Sequence, residues 1–255
     1  MLGSVAKAGR VLDLFTADDP EWGVSEVAVA LGIAKSSAHA LLTTLDDIGL
    51  VRRQVDGRYR LGWRILELHR TLRHGTDFLG PHRVRLRRIA DTLHGTVHVG
   101  ALQGREVIYL DKVTGARGPV IAESGIGLAM PAHCTGLGKV LLAALDPADA
   151  DAVLTLHGLP RRTAATITGA ARLRDELDRI RRLGFAHDLE ESVPGLCCVA
   201  APIRDHRGDV EAAISLTVPG TVLRDRAQQV RTAVRSAAEA VSRLRRGRPA
   251  LVEAG

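Results

Sequence analysis

Aromatic side chains are scarce, making up 3% of 255 residues, so any core must rest on Leu, Val, Ile and Ala. Cysteine is scarcer, with only Cys134, Cys197 and Cys198. An odd count with two adjacent residues offers no disulfide framework and suits a reducing compartment. No apolar run approaches the ~18 residues of a membrane span. Nor does an apolar N-terminal segment with a cleavage site appear. A cytoplasmic protein without membrane contact is therefore expected. CxxC and HExxH spacings are missing, as are internal repeats and low-complexity stretches, so no metal, cofactor or catalytic residue is expected.

What is present suits a folded chain: 45% hydrophobic and 25% charged residues over a length sufficient for two domains. The formal charge of +6 tolerates nucleic acid without demonstrating it. Through Leu61 the acids slightly outnumber the bases. The arginine excess lies at Arg83, Arg85, Arg87 and Arg88 and between Arg224 and Arg248, which reads as a solvated helix face and tail.

Val5, Ala8, Val11, Leu12 and Phe15 recur at helical spacing, and Asp18-Asp19-Pro20-Glu21 breaks the pattern. A second helix is expected from Ser25, as N-cap, to Leu31, followed by the turn Gly32-Ile33-Ala34. In the third helix Ala38, Leu41, Leu42, Leu45 and Ile48 form a buried stripe, while Ser36, His39, Ala40 and Thr43 share the other side. Leu50 to Leu61 then reads as two short strands around Asp56-Gly57. Helix, turn, helix and hairpin in that order make a winged helix-turn-helix. Its candidate DNA contacts are Ser25, Lys35, Ser36, Ser37, His39 and Thr43, joined by the wing cations Arg52, Arg53, Arg58 and Arg60. The alternative is a head that binds protein on a ligand- or metal-sensing module.

Trp63 to Leu72 resumes a helical pattern through Ile65, Leu66 and Leu68, either as a linker or as a helix packed only on its own domain. Beyond it, helices are expected at Val84–Leu93, Gly136–Ala144, Asp149–Leu156, Ala171–Leu183 and Leu223–Leu244. Strands are expected at 97–102, 107–110, 120–122, 185–188, 197–203 and 210–218. Hairpins flanked by helices without β-α alternation argue for an α+β fold with a mainly antiparallel sheet. The expected boundaries are 1–62 for the winged head, 63–75 for the linker and 76–250 for the second domain.

Two further constellations carry chemistry. Pro131-Ala132-His133-Cys134-Thr135-Gly136-Leu137-Gly138-Lys139 opens an apolar helix whose first N–H groups can hold a carboxylate, or be merely capped. Asp188-Leu189-Glu190-Glu191 precedes Gly195-Leu196-Cys197-Cys198. His133, Cys134 and Cys198 invite a metal or nucleophile reading, but buried cysteines more often pack as small hydrophobes.

Taken in order, Lys35-Ser36-Ser37-Ala38-His39, Gly57-Arg58-Tyr59-Arg60-Leu61-Gly62, Ala132 to Lys139, and Glu190-Glu191 with Gly195, Cys198 and Ala200 to Ile203 resemble the IclR family of bacterial transcriptional regulators. The likeness covers nearly the whole chain. It implies a winged helix-turn-helix, a linker helix and a C-terminal effector-binding domain related to the GAF fold. It also implies a homodimer or tetramer on operator DNA, modulated by a small-molecule effector, an organic carboxylate by the helix-start argument. The resemblance assigns the effector pocket to Gly136, Leu137, Asp188, Cys198, Ser215 and Thr217. One position departs: the family commonly places arginine after the recognition-helix histidine, whereas this chain has Ala40.

Overall fold

The helical spacing of Ala8 and Val11 produces α1 (Gly3–Leu12), which lays Val11 into a small core. Helix α2 (Val24–Leu31) follows, then α3 (Lys35–Asp47), turned by 114° from α2. Gly32 ends α2 at φ 64°, ψ 40°, a left-handed conformation that a side chain would resist, so the sharp turn falls there. Strands β1 (Val51–Arg53) and β2 (Tyr59–Leu61) form the wing, with Arg52 opposite Arg60. Val27, Ala38, Leu42, Leu45, Val51 and Tyr59 fill the core between these elements.

Two local expectations need correction. Ser25 does not cap α2: Gly23 does, and its N–H donates to Glu26 Oε2 at 2.8 Å, leaving Ser25 exposed in the first turn. An acid three residues after the cap satisfies the orphan N–H better than a hydroxyl one register later. Ile48, expected in the buried stripe, is 43% exposed at the end of α3.

Helix α4 (Arg64–Gly75) starts where Arg64 Nη1 donates to the Ile48 carbonyl at 2.8 Å. Trp63, just before this helix, and Leu66 within it are 68% and 60% exposed.

The computed structural model describes residues 3–75, 78–155 and 158–245, in two compact units, Met1–Gly75 and Thr76–Gly255. The expected helix end at Leu156 and the arginine tail through Arg248 lie outside the described residues.

The second unit is built on an antiparallel sheet of six strands: β3 (Thr96–Gln103), β4 (Glu106–Thr114), β5 (Ala129–Pro131), β6 (Ala186–Leu189), β7 (Leu196–Arg204) and β8 (Val210–Pro219). Their spatial order is β5-β4-β3-β8-β7-β6. Helices α5 (Arg83–Thr92) and α9 (Gly220–Arg245) cover one face; α6 (Gly136–Ala144), α7 (Pro147–Thr155) and α8 (Ala170–Leu183) cover the other. The side-chain period of two assigns the faces. Val199, Ala201, Ile214, Leu216 and Val218 meet α9, whereas Ala200 and Ala213 face α6.

Val120-Ile121-Ala122 is not a strand. Ile121 is extended, but Ala122–Ser124 closes a 3-10 turn, and the strand that pairs with β4 is β5.

Candidate functional site

In the first unit Lys35, Ser36, Ser37, His39 and Thr43 are all exposed along α3, together with Ala40. Ala34 caps α3 without any side-chain hydrogen bond, and its first turn carries no acid. A cation at a helix start opposes the dipole, so Lys35 does not stabilise α3 itself, and no side chain caps the first N–H groups beside it.

The wing arginines divide. Arg53 is exposed, and its N–H is held by Asp46 Oδ1 at 3.2 Å. The Arg52 guanidinium lies 4.9 Å over the Trp63 ring. Arg58 donates to both Glu26 oxygens, at 3.0 and 2.8 Å, and to the Glu21 carbonyl at 2.8 Å. This fork, with the Gly23 N–H, holds the Glu26 carboxyl below its ordinary value and raises Arg58 in turn. Arg60 pairs with Glu21. Arg58 and Arg60, both candidate phosphate contacts, are thus also ion-paired to Glu26 in α2 and Glu21 just before it.

In the second unit Gly136, Leu137, Asp188, Cys198, Ser215 and Thr217 line one cavity. Strand register assembles it: Asp188 lies opposite Cys198, Cys198 opposite Thr217, and Ser215 opposite His98. These are the polar positions on the α6 face of strands whose other positions feed the α9 core. Gly136 leaves room at the helix start, where a Cβ would stand 3.2 Å from Cys198 Sγ. Gly138 is needed for packing, because its Cβ would stand 2.2 Å from the Ala132 carbonyl oxygen. The cavity volume is about 20 Å³, room for roughly one water.

Asp188 is buried, and its carboxylate accepts from Ser192 Oγ at 2.6 Å, the Glu191 N–H at 2.7 Å and the Cys198 thiol at 3.5 Å. Burial pushes its pKa up; these donors and Lys139 offset that only in part. Lys139 is not a ligand cation. It is buried and paired with Glu191, with Glu176 at 3.7 Å, joining the glycine-lysine and glutamate motifs across the structure.

Met130 and Ile121, apolar residues the sequence offered as a border, line it too, whereas Tyr109, Ser192 and His98 escaped the sequence reading. His98 is fully desolvated, which pushes its imidazole down to about 3, aided by nearby Lys112. Its Nε2 lies 2.9 Å from Ser124 Oγ, which also accepts from Lys112 Nζ at 3.0 Å. A lone polar residue in Val97-His98-Val99 was the available signal.

The cysteines separate. Cys197 enters the α9 core, whereas Cys198 faces the cavity. His133 turns away from both, its Nε2 3.0 Å from the Pro160 carbonyl. Among the described residues no group of three metal-ligating side chains occurs.

Comparison with known proteins agrees with this architecture. Residues 72–243 match the family model described as the bacterial transcriptional regulator IclR C-terminal domain, and residues 4–55 the IclR helix-turn-helix domain. The chain is 34% identical over 218 residues to the HTH-type transcriptional regulator XynR of Escherichia coli K12, covering 85% of this chain and 86% of that protein. It is 33% identical over 253 residues to the glycerol operon regulatory protein of Streptomyces coelicolor, covering 94% and 95%. The crystal structure of an IclR-type regulator from Silicibacter sp. TM1040 superimposes with a TM-score of 0.84 at 26% identity, covering 97% of this chain and 98% of that one.

Proposed function

The chain belongs to the IclR family of bacterial transcriptional regulators, and from that premise we propose how its two units carry out regulation. The α3 face, Lys35, Ser36, Ser37, His39 and Thr43, enters the major groove, with Arg53 on the neighbouring phosphates. Arg58 and Arg60 hold the wing at its angle, and Arg52 acts through its stack on Trp63. Ser25, exposed in the first turn of α2, is placed for a backbone phosphate. The observation that carries this reading is the start of α3: no side-chain cap, no acid, and an exposed lysine.

The small-molecule effector enters the cavity of Gly136, Leu137, Asp188, Cys198, Ser215 and Thr217. A carboxylate against the α6 start is supported by the helix dipole and by the burial of Asp188, which raises its pKa and so disfavours its charge beside that anion. The protein acts as a homodimer or tetramer on a two-fold operator, in the cytoplasm, and as a regulator rather than an enzyme. Residues 63–75 serve as the linker between the winged head and the effector domain. The effector shifts DNA affinity only through different affinities for two arrangements of that assembly.

The test is a gel-shift titration of Ser36→Ala/His39→Ala against DNA from the protein's own upstream region. Specific binding is expected to disappear while the thermal unfolding midpoint is unchanged; operator affinity equal to wild type would refute the assignment.

A further inference from the structure

Behind the wall of the effector cavity lies a second and larger one, of about 240 Å³. Pro131, Leu142, Val153, Leu154 and Leu159 give it an apolar lining, to which Arg105 and Glu106 add the charged groups. An engineered apolar cavity of about 150 Å³ accepts benzene, so a single ring fits here.

The segment 130–137 contributes side chains to each cavity in turn, with no residue lining both. Met130, Thr135, Gly136 and Leu137 face the effector cavity, whereas Pro131 and His133 face the second one. The wall is also tied to the charged residues, since the Ala132 N–H donates to the Arg105 carbonyl at 3.0 Å. Burial pushes the His133 pKa down and keeps the imidazole neutral, the Pro160 carbonyl opposing this only in part. The cation is therefore Arg105, which is exposed. Glu106 beside it opposes any anion there, so an occupant carries one negative charge at most, set against Arg105.

We propose that this cavity is a second small-molecule site, for a compact monocyclic monocarboxylic acid. The ring fills the apolar walls, the carboxylate meets Arg105, and occupancy is transmitted to the effector cavity through residues 130–137. The binding site stands without the effector assignment; only the transmission rests on it.

The full-length protein is titrated with 4-fluorobenzoate, followed by fluorine NMR, with methyl-labelled methionine as a second probe. Met130 is one of two methionines, the other being Met1, so its resonance is readily assigned. Saturable binding is expected, with a shift of the Met130 methyl. Gly136→Val, which crowds Cys198 and closes the effector cavity, leaves this binding in place. Val153→Trp, filling the second cavity from a half-buried position, and Arg105→Gln each weaken it by about tenfold or more. Should Val153→Trp fail to fold, Arg105→Gln at its exposed position carries the same test.

The binding proposal is overturned by no saturable binding at millimolar probe, by loss on Gly136→Val with Arg105→Gln unaffected, or by equal affinity for neutral 4-fluorobenzyl alcohol. Binding without a Met130 shift overturns the transmission alone.

Discussion

His98 Nε2 stands 2.9 Å from Ser124 Oγ, so a histidine of the central sheet fastens the 3-10 turn that brings Ile121 to the cavity. Lys112 Nζ reaches the same hydroxyl at 3.0 Å and the Ile121 carbonyl at 3.3 Å. The cavity holds about 20 Å³, too little for an organic acid, so entry of one requires its wall to move, and His98 and Lys112 tie this turn to the sheet by side chains rather than by a strand ladder. Ser124→Ala is expected to speed effector association in stopped-flow measurements. It also costs about 1–3 kcal/mol of stability, because His98 and Lys112 lose a buried partner. An unchanged association rate would place the moving part elsewhere.

Acid sensitivity follows from the same histidine. Its folded pKa, about 3, lies below the unfolded value of 6.5, so below pH 6.5 the unfolded chain binds a proton that the folded chain refuses. Stability is lost as pH falls through that window, by up to about 1.4 kcal/mol per pH unit from this group. Asp188 and Glu191 act oppositely, since their raised pKa values return stability as the pH drops. Urea unfolding between pH 7 and 4 is expected to show a shallower acid slope in His98→Gln than in wild type. Parallel slopes would mean that His98 is hydrated and titrates normally.

Lys139 and Glu191 form a buried pair, and breaking one side leaves a charge without a partner. Lys139→Met is expected to destabilise the protein by about 3–5 kcal/mol, and Lys139→Met/Glu191→Leu by clearly less. Chemical denaturation of these two variants and of Glu191→Leu alone checks this, and additive losses would contradict the coupling.

None of the three thiols is poised to react. Burial pushes Cys134 up to about 12 and raises Cys197 and Cys198 as well, with Asp188 adding to all three and Glu190 adding at Cys197. Iodoacetamide at neutral pH is expected to leave the native protein unlabelled over an hour and to label all three cysteines in urea. Rapid native labelling of Cys198 would show that the cavity opens far more readily than its packing implies.

Much of the architecture was legible because it is local. Helix α6 begins at Gly136 and ends at Ala144 as its pattern indicates, since the Thr135 hydroxyl caps it by accepting from Gly138 and the apolar run stops at Asp146. Strand β5 was not legible: Ala129–Pro131 is too short to alternate and exists through its pairing with β4. The roles of Arg58 and Lys139 were hidden for another reason. Their partners, Glu26 and Glu191, are 32 and 52 residues away, and no periodicity links them. The effector residues came from family resemblance, whereas His98 emerges only once the register places it opposite Ser215.

The most direct test of the account is operator affinity measured at fixed salt, with and without a panel of small organic acids, for wild type and Gly136→Val. The predicted result is that one acid shifts wild-type affinity by about fivefold or more, while Gly136→Val binds the same DNA but no longer responds. Wild-type affinity indifferent to every acid, or a Gly136→Val variant that still responds fully, would contradict an effector cavity at the start of α6.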